Sequence, residues 1–66
     1  MKNTINVERA RHDMTQANLA DKIGVSRQTI HSIKKGKFVP STVLALKIAR
    51  FFEVKVEEIF TLEEGD

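Results

Sequence analysis

The sequence predicts an all-α fold, a compact bundle of four to five short helices in a single domain covering residues 1–66. Three observations support this prediction: apolar residues recur at helical spacing, capping residues precede those segments, and no long alternating run indicates a sheet. A small two-stranded ribbon, joining Lys2–Ile5 to Phe60–Leu62, is permitted. A core built from 66 residues contributes only about 3–5 kcal/mol of net stability, so dense packing or oligomerisation is expected.

Capping residues give the expected bounds of the first three helices. Helix 1 should run from Val7 to Asp13 after the cap Asn6, and its inner stripe at spacing i, i+3, i+7 should be Val7, Ala10 and Met14. Helix 2 should run from Gln16 to Ile23 after the cap Thr15. Helix 3 should follow the cap Ser26 and end near Lys35, with Gly36 in the position that terminates a helix.

Two further helices are predicted after the loop that ends at Pro40. The fourth should run from Thr42 to Phe52 after the cap Ser41, and the fifth from Val56 to Phe60. Lys55 stands where Ser, Thr or Asp would cap better, so the start of the fifth helix should be weak. The inner faces of these helices should consist of Leu44, Ala45, Ile48, Ala49 and Phe52, and of Val56, Ile59 and Phe60.

The stretch from Gln16 to Lys35 carries the most specific pattern in the chain, two short helices that meet at one glycine. Ala20 is small where one helix must approach the other closely. Gly24 can adopt the positive φ that ends a helix without a Cβ clash, and Ser26 can start the next helix. Together these residues predict a helix-turn-helix motif over residues 16–35, a unit typical of DNA-binding proteins.

Charge is distributed unevenly, although the formal net charge is only +2. Residues 53–66 carry six acidic side chains against one lysine. We therefore expect a basic surface that faces a polyanion and an acidic end that lies away from it. The segment from residue 22 to 37 has no acidic residue and five basic ones, Lys22, Arg27, Lys34, Lys35 and Lys37.

Composition excludes several classes of protein. The chain has no cysteine, so disulfides and thiolate metal sites are excluded, and the spacing of His12 and His31 matches no zinc pattern. No apolar run could span a membrane or serve as a signal peptide, and a cytoplasmic location is expected. No nucleophile or phosphate-loop pattern is present, so we expect neither an enzyme nor a bound cofactor or metal.

Taken together, the motifs resemble those of the lambda-repressor-like (Cro/repressor, XRE-type) helix-turn-helix transcriptional regulators, and most closely their minimal single-domain bacterial members. The resemblance covers Asn6 to Phe60. It implies a transcriptional regulator that binds double-stranded DNA. The segments that carry it, in order and without gaps, are Arg9, Thr15-Gln16-x-x-Leu19-Ala20, residues 24–30 (GVSRQTI), Gly36-Lys37-Phe38, Pro40-Ser41 and residues 44–49 (LALKIA).

One position departs from the family pattern. Family members usually carry a glutamate directly after the isoleucine that is Ile33 here, and this glutamate often pairs with the arginine of helix 1. The present chain has Lys34 at that position. Arg9 should therefore find a different partner.

The helical arrangement of helix 3 divides its residues into two sides. Ile30 and Ile33 should face the core, and the opposite side should face the major groove. On this basis the expected base contacts are Arg27, Gln28, Ser32 and His31, where Arg27 suits guanine and Gln28 suits adenine. The expected phosphate contacts are Gln16, Ser26, Thr29, Lys35 and Lys37. The resemblance further implies that Gln16 grips the DNA backbone and braces Gln28.

The predicted function is sequence-specific regulation of transcription, most simply repression at a palindromic operator bound by a homodimer, with half-sites about 34 Å apart. The alternatives are an antitoxin-like autoregulator and a protein-interaction module on the same fold. Phe38 is expected to pack the loop after helix 3 onto the core. The dimer interface is expected on the C-terminal segment, through Val56, Ile59, Phe60 and Leu62, with Phe51.

Overall fold

The computed structural model describes all 66 residues and contains five helices and a two-stranded ribbon. The ribbon is antiparallel, with Lys2 opposite Thr61 and Asn3 opposite Phe60. The mostly helical fold and the permitted ribbon are both confirmed. No helix has the length and apolar character needed to cross a bilayer. The elements are β1 (Lys2–Asn3), α1 (Ile5–Arg11), α2 (Gln16–Ile23), α3 (Arg27–Lys34), α4 (Thr42–Phe51), α5 (Val56–Ile59) and β2 (Phe60–Thr61).

The core draws residues from every helix. Half-buried residues such as Met14, Val25 and Val56 pack around it. Since α2 and α3 share this core, the angle between the two helices of the motif is set by packing against the rest of the domain. The ten buried hydrophobic residues are Ile5, Leu19, Ala20, Ile30, Ile33, Ile48, Ala49, Phe52, Ile59 and Phe60.

The predicted register of α1 is wrong. The helix begins at Ile5, and Val7 on the supposed inner stripe is 49% exposed. Ile5 and Glu8 are its buried residues instead. Ile5 is fully buried in the core, and its backbone N–H donates to Asn3 Oδ1 at 3.3 Å. Burial of this isoleucine therefore extends the helix past Asn6, which does not cap it.

The caps of the helix-turn-helix motif are confirmed. Thr15 Oγ1 accepts the Asn18 N–H at 3.0 Å, and Asn18 Oδ1 accepts the Thr15 N–H at 3.3 Å. Ser26 Oγ accepts the Thr29 N–H at 3.1 Å and so starts α3. Gly24 has φ of +87° and ends α2 in the left-handed conformation. These local contacts fix where α3 begins relative to α2.

The last two helices differ slightly from expectation at their C-terminal ends. α4 begins after the cap Ser41, as predicted, and ends at Phe51, followed two residues later by Glu53 with φ of +57°. α5 ends one residue early because Phe60 enters the ribbon. Lys55 provides no side-chain cap, as predicted, but Glu58 Oε1 accepts the Lys55 N–H at 2.9 Å and supports the start of α5.

Arg9 has found another partner, as expected from the lysine at position 34. Its Nη1 donates to the carbonyl oxygen of Met14 at 2.9 Å, and its Nη2 donates to Asn6 Oδ1 at 2.6 Å. Both acceptors lie on α1 or directly after it. Arg9 thus fastens the start of α2 to α1 without using α3.

Candidate nucleic-acid interface

The exposed side of α3 is formed by the residues that its helical arrangement predicts. Ile30 and Ile33 are buried, whereas Arg27, Gln28 and His31 are exposed. The first turn of α3 has no acidic residue. The N-terminal part of this helix therefore presents guanidinium, amide and imidazole groups to solvent, which are groups that can bind base edges.

One crevice brings together polar residues from both helices of the motif. It has a volume of about 310 Å³ and is lined by Gln16, Arg27, Gln28 and His31, none of them apolar. We call it the reading crevice. Gln16 is the first residue of α2, where free backbone N–H groups suit a phosphate. The side chains of Gln16 and Gln28 share this crevice without a hydrogen bond between them, so the brace implied by the resemblance is not formed.

The second crevice lies further along α3 and contains the remaining predicted contacts on this helix. It measures about 160 Å³ and is lined by Ser26, Gln28, Thr29, Ser32 and Phe38; we call it the Phe38 crevice. The hydroxyl oxygens of Ser26 and Thr29 are 2.9 Å apart and hydrogen-bonded. One of the two O–H groups is the donor of this bond, so only the other remains free to donate to a phosphate oxygen.

Phe38 does not pack onto the core, contrary to expectation. Its side chain is 45% exposed, and the buried residue of this loop is Pro40. Phe38 lies instead beside Gln28, Thr29 and Ser32 on the outer face of α3. Phe38 thus lies on the surface of the candidate interface, where sequence reasoning did not place it. The only signal for it was the adjacency of Phe38 to two predicted phosphate contacts, Lys35 and Lys37.

The end of α3 positions the two predicted phosphate lysines. The N–H of Gly36 donates to Ile33 O and that of Lys37 donates to Ser32 O, both at 3.0 Å, and Gly36 has φ of +77°. This pair of bonds is the arrangement that a left-handed glycine allows at a helix end. Lys35 and Lys37 are consequently held on either side of a fixed turn, and both are exposed.

Lys35 also lines a third crevice, between the end of α3 and the ribbon, with a volume of about 340 Å³. We call it the terminal crevice; Lys2 and Lys34 add two further cations to it, and Glu63 adds a carboxylate. Glu63 of the acidic C-terminal segment therefore lies beside Lys34 and Lys35, which differs from the expectation that this segment is remote from the basic surface. Pairing of β1 with β2 brings the two ends of the chain to this place.

Glu63 is engaged by the amino terminus. The Met1 amino group lies 3.1 Å from Glu63 Oε1 and 3.1 Å from Asp66 Oδ2. These bonds, first to Glu63 and then to Asp66, raise the pKa of the Met1 amino group above its usual value. The bond from the Glu63 N–H, and then the amino group, lower the pKa of the Asp66 carboxyl. The lysines of the terminal crevice, which are Lys2, Lys34 and Lys35, form no salt bridge with Glu63 or Asp66.

The residues expected at a dimer interface separate into two groups. Ile59 and Phe60 are buried in the core of the protomer and so cannot form its outer surface. Leu62 is 77% exposed, the largest exposure among the big hydrophobic residues, and Phe51 and Val56 are half-buried. Burial of Ile59 and Phe60 follows from their place at the junction of α5 and β2, which closes one end of the core.

The two histidines are placed apart. His12 packs against the ring of Phe52, with ring centroids 5.1 Å apart, whereas His31 lies in the reading crevice. No group of three or more potential ligands is assembled anywhere in the chain. The imidazole of His31 is thus exposed to solvent in the reading crevice.

Comparisons with known proteins agree with this geometry. A family model described as helix-turn-helix matches residues 7–59. An HTH-type transcriptional regulator of Methanocaldococcus jannaschii is 56% identical over 66 residues, with all of both chains covered. One from Bacillus subtilis, YgzD, is 48% identical over 64 residues and 97% of each chain. The solution structure of a LexA SOS-response transcriptional repressor from Eubacterium rectale has a TM-score of 0.79 at 26% identity, over 94% of this chain and 66% of that one.

Proposed function

This chain belongs to the helix-turn-helix family of transcriptional regulators, and we propose that it represses transcription by binding a palindromic operator as a homodimer. DNA binding and regulation of transcription follow from the family, whose members act as DNA-binding proteins and not as enzymes. The proposal adds the mode of regulation, the symmetry of the operator and the residues that contact it.

The reading crevice is the observation that carries the proposal. It places the guanidinium of Arg27 and the amide of Gln28 in the first turn of α3, beside the first residue of α2. In a helix-turn-helix complex the start of the second helix reaches the base edges. Arg27 would bind O6 and N7 of a guanine, and Gln28 would bind N6 and N7 of an adenine. His31 and Ser32 lie further along the same side of α3 and would also contact bases.

The remaining polar residues would hold the DNA backbone. Gln16 supplies its amide and the free N–H groups at the start of α2 to one phosphate. Lys35 and Lys37, on the two sides of Gly36, would bind phosphates beyond the other end of α3. The hydroxyls of Ser26 and Thr29 would add one contact between them. These contacts position α3 and carry no sequence information of their own.

A homodimer would supply the contacts that one small protomer lacks. Leu62 is the most exposed large hydrophobic residue, and Phe51 and Val56 are only half-buried, so the C-terminal segment offers apolar surface that a partner could cover. Ile59 and Phe60 would support this surface from inside the protomer. Two copies related by a two-fold axis would read two half-sites about 34 Å apart.

A competition titration tests the proposal. A fluorescein-labelled duplex of random sequence is bound at low salt, and unlabelled duplex, single-stranded DNA and heparin are added as competitors. We expect duplex DNA to compete better than heparin at equal phosphate or sulfate concentration, because α3 fits the major groove. Equal competition by heparin would contradict groove binding and favour an interaction module with a merely basic surface.

A further inference from the structure

We propose that Phe38 reads thymine, by placing its ring against the 5-methyl group in the major groove. This inference rests on the proposed function and adds an apolar contact to the polar ones of Arg27 and Gln28. Packing in the core does not explain the presence of Phe38, because this side chain is exposed and lies outside the core.

The Phe38 ring is exposed on the surface proposed to bind DNA. Phe38 is 45% exposed on a chain whose other three phenylalanines are buried or half-buried, and Phe51 and Phe52 pack against each other with centroids 5.3 Å apart. Leaving a phenylalanine in water forgoes a large part of the free energy that its burial would contribute. An exposed aromatic residue within a binding surface is accordingly a candidate for a partner contact.

The position of Phe38 is also fixed relative to α3. Its backbone N–H donates to Ser32 O at 3.3 Å, and the neighbouring Lys37 N–H donates to the same oxygen at 3.0 Å. On the far side, Pro40 is buried and holds the loop against the domain. The ring therefore accompanies α3 when this helix enters the groove.

The shape and chemistry of the Phe38 crevice leave room for a group of the DNA. Its other walls are Gln28 and the short hydroxyl residues Ser26, Thr29 and Ser32, so space of about 160 Å³ is left beside the ring. Ser32 lies one turn beyond Gln28 on the side of α3 that should face the bases. A longer residue at position 32 would fill the space, whereas serine leaves it open to a group of the DNA.

The identity of that group follows from the major groove itself. Base edges present hydrogen-bond donors and acceptors there, and the thymine 5-methyl is the one apolar group among the four standard bases. A phenyl ring has nothing to offer a polar edge, but it can bury a methyl group. Burial of one methyl is worth about 0.8 kcal/mol, which corresponds to about a fourfold change in Kd.

Stacking on an unpaired base is the competing use of an exposed aromatic side chain. Single-strand binders align several aromatic residues along a groove so that successive bases can stack. Here the other phenylalanines belong to the core or its edge, and Phe38 stands alone on this surface. The structure therefore favours the methyl contact in duplex DNA.

Replacement of thymine by uracil tests the proposal, because uracil lacks only the methyl group. The operator is first recovered from a random duplex pool and then prepared with thymine or with uracil throughout. We expect the wild-type protein to lose affinity about fourfold for each contacted methyl group. Phe38→Ala should bind the thymine duplex more weakly and should have a much smaller thymine-to-uracil ratio. Val39→Ala, which shortens the adjacent exposed valine, should keep the wild-type ratio.

Uracil also changes the flexibility of the duplex, and this effect is the same for every protein variant. Dividing the thymine-to-uracil affinity ratio of the wild type by that of Phe38→Ala therefore isolates the contact of the ring. A wild-type protein indifferent to uracil, or a Phe38→Ala variant that keeps the wild-type ratio, would overturn the proposal while leaving operator binding intact. Tighter binding of the wild type to the single strand would replace it with base stacking. Failure to recover any operator would instead overturn the proposed function, and the thymine contact with it. Circular dichroism checks that Phe38→Ala is folded, and Phe38→Leu should retain part of the methyl sensitivity.

Discussion

Asn3 in the ribbon donates from Nδ2 to the carbonyl oxygen of Ile33 in α3, at 2.8 Å and across 30 residues of sequence. The acceptor belongs to the last turn of α3 and also accepts the Gly36 N–H at 3.0 Å, so that both lone pairs of this carbonyl oxygen are used. Asn3 Oδ1 also accepts the Ile5 N–H. A single amide thereby connects the ribbon, the start of α1 and the end of the helix proposed to enter the major groove.

Asn3→Ala should lower the free energy of unfolding by about 1 kcal/mol, because it removes the bond to Ile33 O and the acceptor of the Ile5 N–H, while Ile33 O keeps the Gly36 N–H. Chemical denaturation monitored by circular dichroism measures the change. Lys2→Ala alters the neighbouring exposed residue of the same strand and should change stability by less than about 0.5 kcal/mol. Equal effects of the two substitutions would mean that the Asn3 bond contributes nothing beyond the ribbon itself.

Arg27→Ala and Lys35→Ala should affect DNA binding in different ways. Loss of a bidentate base contact should reduce discrimination between operator and random duplex by about 1–3 kcal/mol. Loss of a phosphate contact should weaken both duplexes alike and reduce the slope of log K against log salt by about 0.9 for each protomer bound. Anisotropy titrations across a range of salt concentrations measure both quantities. The assignment of base and phosphate contacts is wrong if the two variants lose the same affinity on every sequence.

Two substitutions at residues with positive φ should change the stability of the protein in opposite directions. Gly24→Ala should destabilise the protein by about 1 kcal/mol, since φ is +87° although no atom lies near the added methyl. Glu53→Gly should stabilise it by a similar amount, because glutamate holds φ of +57° after the end of α4. Thermal unfolding of both variants measures the effect. Glu57→Gly is the matched control; it places the same change within α5 and should destabilise.

Leu62→Asp should weaken the proposed dimer at least tenfold, since it puts a charge on the most exposed apolar side chain of the C-terminal segment. Sedimentation equilibrium at tens of micromolar provides the measurement. Val43→Asp makes the same change at a residue 63% exposed on α4 and should leave association unchanged. A wild-type protein that remains monomeric at these concentrations would remove the basis for a preformed dimer.

The contacts of the amino terminus should make stability depend weakly on pH at both ends of the range. The Met1 pKa is raised on folding, so its contribution is present below its usual value of about 8 and is lost as pH rises through the folded value. The Asp66 pKa is lowered, so its contribution is present above about 3.9 and is lost as pH falls through the folded value. Melting temperatures measured from pH 3 to 10 should show both losses. Asp66→Asn should reduce the acid and alkaline losses, and an unchanged profile would contradict these contacts.

Local signals predicted the helix-turn-helix motif well. Thr15, Gly24 and Ser26 act through hydrogen bonds or dihedral angles within a few residues, and all three adopt the expected roles. The same holds for the sides of α3, because Ile30 and Ile33 are separated from Arg27 and Gln28 by simple helical rotation. The shared crevice of Gln16 with Arg27 and Gln28 then follows from the crossing of α2 and α3.

The features that sequence reasoning missed depend on which residues pack together across the whole domain. Ile5 and Val7 are both suitable core residues, and only the packing of the whole domain selects Ile5. Phe38 and Pro40 belong to the same loop, and in a similar way only Pro40 is buried. The position of Glu63 beside the lysines of α3 depends on the pairing of β1 with β2, which two-residue strands cannot predict on their own.

Selection of bound sequences from a random duplex pool tests the central claim most directly. The account predicts enrichment of a two-fold symmetric sequence, with half-sites about one helical turn apart and a guanine whose replacement matters less to Arg27→Ala than to the wild type. Sequences that remain random after repeated rounds, although the protein is folded and retained on DNA, would contradict it.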